Sequence, residues 1–377
     1  MQLAPFLLDH WLNHYHFGGA VIEHDIASST GPNWTLRQLL ALEDENDRQA
    51  LLDAKLVYVD GAGTRALREA IAEMQKVSPD EVIITTGAAE ALLILFFLAA
   101  QPGANAILPM PCFPPTAELP RAFGIESRFY HLRRDNEFKL DLDEIKNLAD
   151  SRTELLIVNS PHNPTGATLG DDELQSLGKF AAEQGIQFVV DEVYHPIYHE
   201  TETQSAARLP HAIVLGDFSK ALCLSGLRVG WMIEHDRKRV EKYINARTYF
   251  TVSSATLSEE LAVIAVRRRE KIFERARRVA TGNLSLLEKF FSEQSEVLGW
   301  VRPRGGMTVF PWLKSGASAR PFCEALAELG VLVSPGDCFG AAEHFRLGFG
   351  ASEMGFAQAL ETVADSVKQY ANRAAKR

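Results

Sequence analysis

GDFSKALCLSGLRVG, residues 216–230, is the stretch on which the reading of this chain turns. The apolar run Ala212–Leu215 leads into it, and Gly226 permits a turn before Arg228. This pattern predicts a buried strand that ends just before Lys220. The lysine then stands at the mouth of a sheet and not on an open helix face. A lysine stripped of water has a lowered pKa, and its neutral amine is a nucleophile or a base. Most lysines are solvated surface charges, so the rest of the chain must decide.

Working outward, EVIITT (81–86), LLIVNS (155–160), QFVVDEV (187–193), AIVLGD (212–217) and VGWMI (229–233) read as strands buried on both faces. Helical patterns fall between them at 88–101 and 171–184, the second opening on Asp171, Asp172 and Glu173 at its positive end. Such alternation predicts an α/β fold, a mostly parallel sheet with helices on both faces and right-handed crossovers. Ligands of such sheets bind beyond the carboxyl ends of the strands. Toward the C-terminus a helical stretch at about 255–293 precedes RPRGGMTVFPWL (302–313) and apolar strands near 331–334 and 345–349. The expected division is a large domain at 36–274 and a smaller α+β domain built from 1–35 and 275–377. No internal repeat or low-complexity linker is visible.

A chain of 377 residues has ample core to bury, and 46% hydrophobic with 23% charged residues is an ordinary globular composition. The formal net charge of -10 argues against nucleic acid or an anionic membrane as the main partner. Cys112, Cys223, Cys323 and Cys338 form no C-x-x-C pair, so neither a zinc site nor a disulfide framework is indicated. Asp9, His10, Asn13 and His14 interrupt any signal-like apolar stretch at the N-terminus. ALLILFFLAA (91–100) is too short to span a bilayer and reads as a buried core helix. The expectation is a cytoplasmic protein with no membrane contact. His10, His14 and His16 include an i, i+4 pair, but an amphipathic helix without metal is expected.

The strand ends collect polar residues that are each ambiguous alone. TTGAAEAL (85–92) puts Gly87 between a strand and a helix start, where free N–H groups and the helix dipole attract anions. Many strand–helix turns carry glycine without binding anything. Arg228 suits a phosphate cradle or a surface salt bridge. Asp191, closing VVDEVY (189–194), suits a protonated ring nitrogen or a helix cap. Asn163 sits in the rigid turn NSPHNPTG (159–166), which is equally a plain loop by composition. Phe113 offers a flat face or simple core. Taken together, a lysine nucleophile, a buried carboxylate, a phosphate cradle, an oriented amide and an aromatic face are what pyridoxal phosphate requires.

NSPHNPTG, VVDEVY and SKALCLSGLRVGW, in that order, resemble the class I/II aminotransferases of fold type I, over essentially the whole chain. The resemblance implies that Lys220 forms an aldimine with pyridoxal 5′-phosphate and that Arg228 and the backbone at Gly87, Ala88 and Ala89 hold its phosphate. It implies that Asp191 pairs with the pyridine nitrogen, that Tyr194 and Asn163 bond the ring hydroxyl, and that Phe113 stacks on the ring. Tyr58, in YVDGAGTRALREAI, matches a tyrosine lent to the partner's phosphate, so a homodimer is expected. Arg346, in FRLGFG, matches the arginine that grips the substrate carboxylate. The activity implied is transfer of an amino group between an amino acid and a 2-oxo acid.

Two departures stand out. Asp217 takes a place where the family often has serine or threonine; because a carboxylate repels phosphate, it is expected to point away while Ser219 or backbone groups substitute. Ala88 lacks a hydroxyl that many members carry. SSTGPNWTLRQL (28–39) and RGGMTVFPWL (304–313) resemble the capreomycidine synthase branch, which keeps open a lyase or cyclase on the same cofactor. A ligand-sensing lobe of a transcriptional regulator is a third reading, but no basic or helix-turn-helix-like stretch accompanies it. His162, Trp34, Asn33, Trp312 and Met307 are expected around the substrate.

Overall fold

Alternate residues of the buried strands part to opposite faces of one sheet. Leu155, Ile157, Val189, Ile213 and Leu215 enter one apolar cluster, while Leu156, Val158, Phe188, Val190 and Val214 enter the other. The structure is a computed structural model and describes residues 3–374. Its strands begin with β1 (His24–Asp25), β2 (Val82–Thr85), β3 (Asn105–Met110) and β4 (Glu126–His131). They continue with β5 (Thr153–Asn159), β6 (Gln187–Asp191), β7 (Ala212–Asp217) and β8 (Gly230–Ile233). Seven of them form the central sheet in the order β2-β8-β7-β6-β5-β3-β4, parallel except for β8.

That one reversed strand shapes the site. Because β8 runs antiparallel, its first residue, Gly230, pairs with Thr85 at the end of β2 and with Asp217 at the end of β7. Arg228 is thereby delivered to the edge where those strands finish. On the other side, Asn159 and Asp191 pair in register at the ends of β5 and β6. The residues that the sequence places at strand ends converge on one rim.

Two strands carried no readable signal. β3 contains Pro109, and β4 (ESRFYH) is the polar edge strand with mostly half-exposed side chains. The helix Ala88–Ala99 is buried almost all round, between the sheet and Val240, Tyr243 and Ala246 of Arg237–Thr251. Asp171–Gln184 ends on Gly185 with φ +71°, a left-handed cap. The single helix expected at 255–293 is two, Thr256–Arg267 and Arg269–Glu293. Arg268 breaks them, and its fork grips the buried Glu43 at 2.7 and 3.1 Å.

Toward the C-terminus come β9 (Leu298–Gly299), β10 (Thr308–Val309), β11 (Trp312–Leu313), β12 (Val331–Leu332), β13 (Ser334–Pro335) and β14 (Phe345–Gly348). β1 pairs with β12, and β14 lies between β10 and β13. The N-terminal helix Leu7–Phe17 buries Leu8 and Trp11, and Trp11 Nε1 donates to Val333 O at 2.8 Å. A Cβ on Gly348 would collide with Ser28 O, so glycine lets the segment after β1 lie directly on β14. Among the described residues no helix is long and apolar enough to cross a membrane.

Candidate active site

The turn after β2 is built around Gly87, whose φ of +79° favours glycine and which caps the helix Ala88–Ala99. A Cβ there would stand 2.7 Å from Arg228 Nη2. The missing side chain is what lets the guanidinium approach the helix N-terminus. Arg228 Nη1 donates to Ser219 Oγ at 3.2 Å and to Ser225 O at 3.1 Å. Backbone N–H groups of the first helical turn, a hydroxyl and a fixed cation thus surround one small volume, a cradle for an anion.

Asp217 does not point away from this volume, as its charge had suggested. Its Oδ1 accepts from Ser219 N, and its Oδ2 accepts from Ser219 Oγ at 3.1 Å and Ala88 N at 3.4 Å. The physical reason is satisfaction of a buried carboxylate. Those donors are the ones within reach, and an unpaired buried charge is costly.

Lys220, half-buried, donates from Nζ to Ser29 Oγ at 2.8 Å. Burial pushes its pKa down to about 8; Arg346 and Arg228 push the same way, while Asp217 and Asp191 pull against them. Asp191 accepts from Val193 N at 3.2 Å, and burial drives its carboxyl up to about 7, with Asp217 adding to the rise. A weakened base and a reluctant acid thus act on each other's charge, the pattern that marks reactive sites. Tyr194 is buried, donates its hydroxyl to Ser29 O at 3.0 Å, and is raised to about 12 by burial.

Arg346 is 2% exposed, and its guanidinium donates to Ala27 O at 2.8 Å, Asn163 Oδ1 at 3.2 Å and Ser334 Oγ at 3.4 Å. Its Nε has no partner, and among the described residues no carboxylate forms an ion pair with it. Burial lowers its pKa. A buried cation hydrogen-bonded only to neutral groups, with Asp25 acting on it from beyond ion-pair distance, invites an anion. Arg346 and Lys220 line the same cleft of about 260 Å³, together with Ser29, Phe113 and Asp25. Phe113 meets Phe6 edge-on at 5.9 Å, and the N-terminal helix adds Leu8 and Leu12 to the lining.

Most of the sequence candidates meet here, and several do not. Tyr58 is 85% exposed, far from lining the cleft of its own chain. Asn33 and Trp34 line a separate hollow with Cys223 and Gly226. Trp312 packs on His344 and under Arg134, Met307 is sealed in the core, and His162 is buried on Thr165. None of these six lines the cleft. The residue that sequence reasoning missed is Ser29, the partner of both Lys220 and Tyr194; its stretch, SSTGPNW, had been singled out, but not its hydroxyl.

The model of the family "Aminotransferase class I and II" matches residues 35–363. The chain belongs to the class I and II aminotransferases. It is 30% identical to capreomycidine synthase of Streptomyces vinaceus, covering 98% of this chain and 95% of that protein. It is 31% identical to aspartate aminotransferase of Pyrococcus abyssi, covering 82% of each. A crystal structure of a PLP-dependent aminotransferase from Streptococcus suis superposes with a TM-score of 0.91 at 26% identity, covering 98% and 99% of the two chains. The family's fold is the pyridoxal-phosphate fold type I, and its cofactor is pyridoxal phosphate. The residues gathered here fit that group. Gly87 leaves open a cradle that a Cβ would fill, Arg228 and the helix start supply anion donors, and Asp191 waits for a cation. One carboxylate, Asp217, already accepts from two of the cradle's donors, Ala88 N and Ser219 Oγ.

Proposed function

We propose that this enzyme moves an amino group between an amino acid and a 2-oxo acid, with Lys220 as the amine that gives way to the substrate and then carries its α-proton. When bound, pyridoxal phosphate supplies an aldehyde for amines and an electron-withdrawing ring. The chain's own residues do the rest. A pKa near 8 leaves part of Lys220 neutral near pH 7, as a base must be. Asp191 holds the ring nitrogen in its charged form, an opposite charge favouring protonation. Tyr194 and Asn163 bond the ring hydroxyl, Phe113 covers the ring, and Gly87, Ala88, Ala89, Ser219 and Arg228 hold the phosphate.

The observation that carries the reading is Arg346. A fully buried guanidinium with an unpartnered Nε opens on the cleft that also holds Lys220, as capture of an α-carboxylate beside the reacting amine would require. The exposed Tyr58 lies beside Val57, Leu56 and Leu52, all at least 60% exposed. We place this patch against a second copy, giving a homodimer in which Tyr58 completes the partner's cradle. The large domain is taken as 36–274 and the small one as 1–35 with 275–377. The four buried thiols are free, as suits the cytoplasm.

One observation favours a second reading, elimination or cyclisation on the same cofactor. The match to capreomycidine synthase extends over 98% of this chain, whereas that to aspartate aminotransferase of Pyrococcus abyssi extends over 82%. A single mixture separates the two. Holoenzyme is given one amino acid after another with no 2-oxo acid present. Conversion of the cofactor to pyridoxamine phosphate supports transamination; release of ammonia with the cofactor unchanged supports the lyase or cyclase.

A further inference from the structure

The cradle holds a contradiction that neither the family nor the fold resolves. A phosphate seated at Gly87 needs the donors Ala88 N–H, Ser219 Oγ–H and Arg228. Two of these three are already given to Asp217, whose Oδ2 lies 3.4 Å from Ala88 N and 3.1 Å from Ser219 Oγ. Asp217 is 8% exposed, so water does little to screen it. A phosphate dianion and an ionised carboxylate sharing the same donors repel each other strongly, as paired carboxylates do. Turning the side chain away would strip it of Ser219 and Ala88 and leave a buried charge without partners.

We propose that Asp217 takes up a proton from solvent when a phosphate group enters this cradle, and donates its O–H to that phosphate. The carboxylic acid then does the work of a serine or threonine hydroxyl while keeping the option to ionise. The groups that face Asp217 frame this balance. The cations are Arg228, which shares Ser219 Oγ with it at 3.2 Å, and Lys220, three residues on; the acids are Asp191, at the end of the neighbouring strand β6, and Tyr194. Adding phosphate tips the sum toward the acid. Cofactor loading is consequently linked to pH through one side chain, and it weakens in alkali.

The inference rests on the phosphate site proposed above, and the test keeps the two apart. Cofactor-free full-length protein is titrated calorimetrically with pyridoxine 5′-phosphate, which carries the ring and phosphate but no aldehyde for Lys220. Buffers of different ionisation enthalpy, from pH 6 to 9, give the protons exchanged per site. The same titration on Asp217→Asn and Asp217→Ser removes the phosphate's own titration by difference, and circular dichroism establishes that each variant is folded. At pH 8 the parent should take up about one proton more than either variant. Its dissociation constant should rise up to about tenfold per pH unit relative to theirs. Equal proton uptake with parallel pH profiles in any folded variant overturns the proposal, even though binding itself stands. Absence of binding by the parent at every pH would remove the phosphate site and the inference with it.

Discussion

Replacing Arg346 by methionine separates the two things that a buried cation can be for. If the guanidinium is an internal structural charge, its loss unfolds the protein. If it is kept for a ligand, its loss should cost little stability and much substrate recognition. Three hydrogen bonds disappear, to Ala27 O, Asn163 Oδ1 and Ser334 Oγ, worth about 1 kcal/mol each. Against this, methionine relieves the burial of a charge with no carboxylate in ion-pair contact, and apolar replacements of buried ions are often neutral or stabilising by about 1–4 kcal/mol. The terms oppose, and Arg346→Met should unfold within about 2 kcal/mol of the parent in urea. Two charge-assisted bonds to a substrate carboxylate contribute roughly 3–4 kcal/mol. The variant should therefore lose about 10²–10³-fold in kcat/KM for the amino acid, mostly through KM. A loss of 4 kcal/mol or more in stability with unchanged kcat/KM would refute the argument.

Four further outcomes are expected. Lys220→Ala should bind the cofactor through its phosphate yet lose the visible absorbance that arises when lysine and cofactor are joined; an unaltered spectrum would remove Lys220 from the chemistry. The cofactor-free protein should gain stability as pH rises from about 8 to 10.5. In that window the unfolded lysine binds a proton that the folded one, with its pKa down at about 8, does not. The gain is at most about 3 kcal/mol, reduced by the lysine's half-exposure, and urea midpoints for Lys220→Met should show none of it. Gly87→Ala, forced to φ +79° with its methyl against Arg228, should weaken cofactor affinity about 10-fold or more, measured by equilibrium dialysis. Mixing inactive Lys220→Ala with weakened Tyr58→Ala subunits should recover activity, because one site in each mixed dimer has both residues; no recovery would argue against a shared site.

How far the sequence led depended on distance along the chain. Gly87, Asp191, Asn163, Lys220 and Arg228 lie within a few residues of strand ends, and strand ends of such a sheet gather on one rim, so local pattern sufficed. The antiparallel course of β8 was not visible in VGWMI, yet it is what brings Arg228 to Gly87. Ser29 is 191 residues from Lys220, and nothing local to either announces their contact. The strands β3 and β4 were hidden because a proline interrupts one and solvent faces the other. Asp217 was misplaced for a different reason. Its charge was weighed against the phosphate that would come, while the folded chain first satisfies the carboxylate that is there. Trp312 and Met307 show the reverse error, since large side chains suggested a pocket wall, whereas Met307 is spent on the core and Trp312 packs half-buried between His344 and Arg134.

Arg346 reaches back 319 residues to Ala27, and the segment joining Ala27 to Ser29 is pressed onto β14 through Gly348. A ribosome making this protein must therefore finish nearly the whole polypeptide before the reaction centre can close. Truncated translation products, however well they form the central sheet, would lack both Arg346 and the strand against which Ser29 is held beside Lys220.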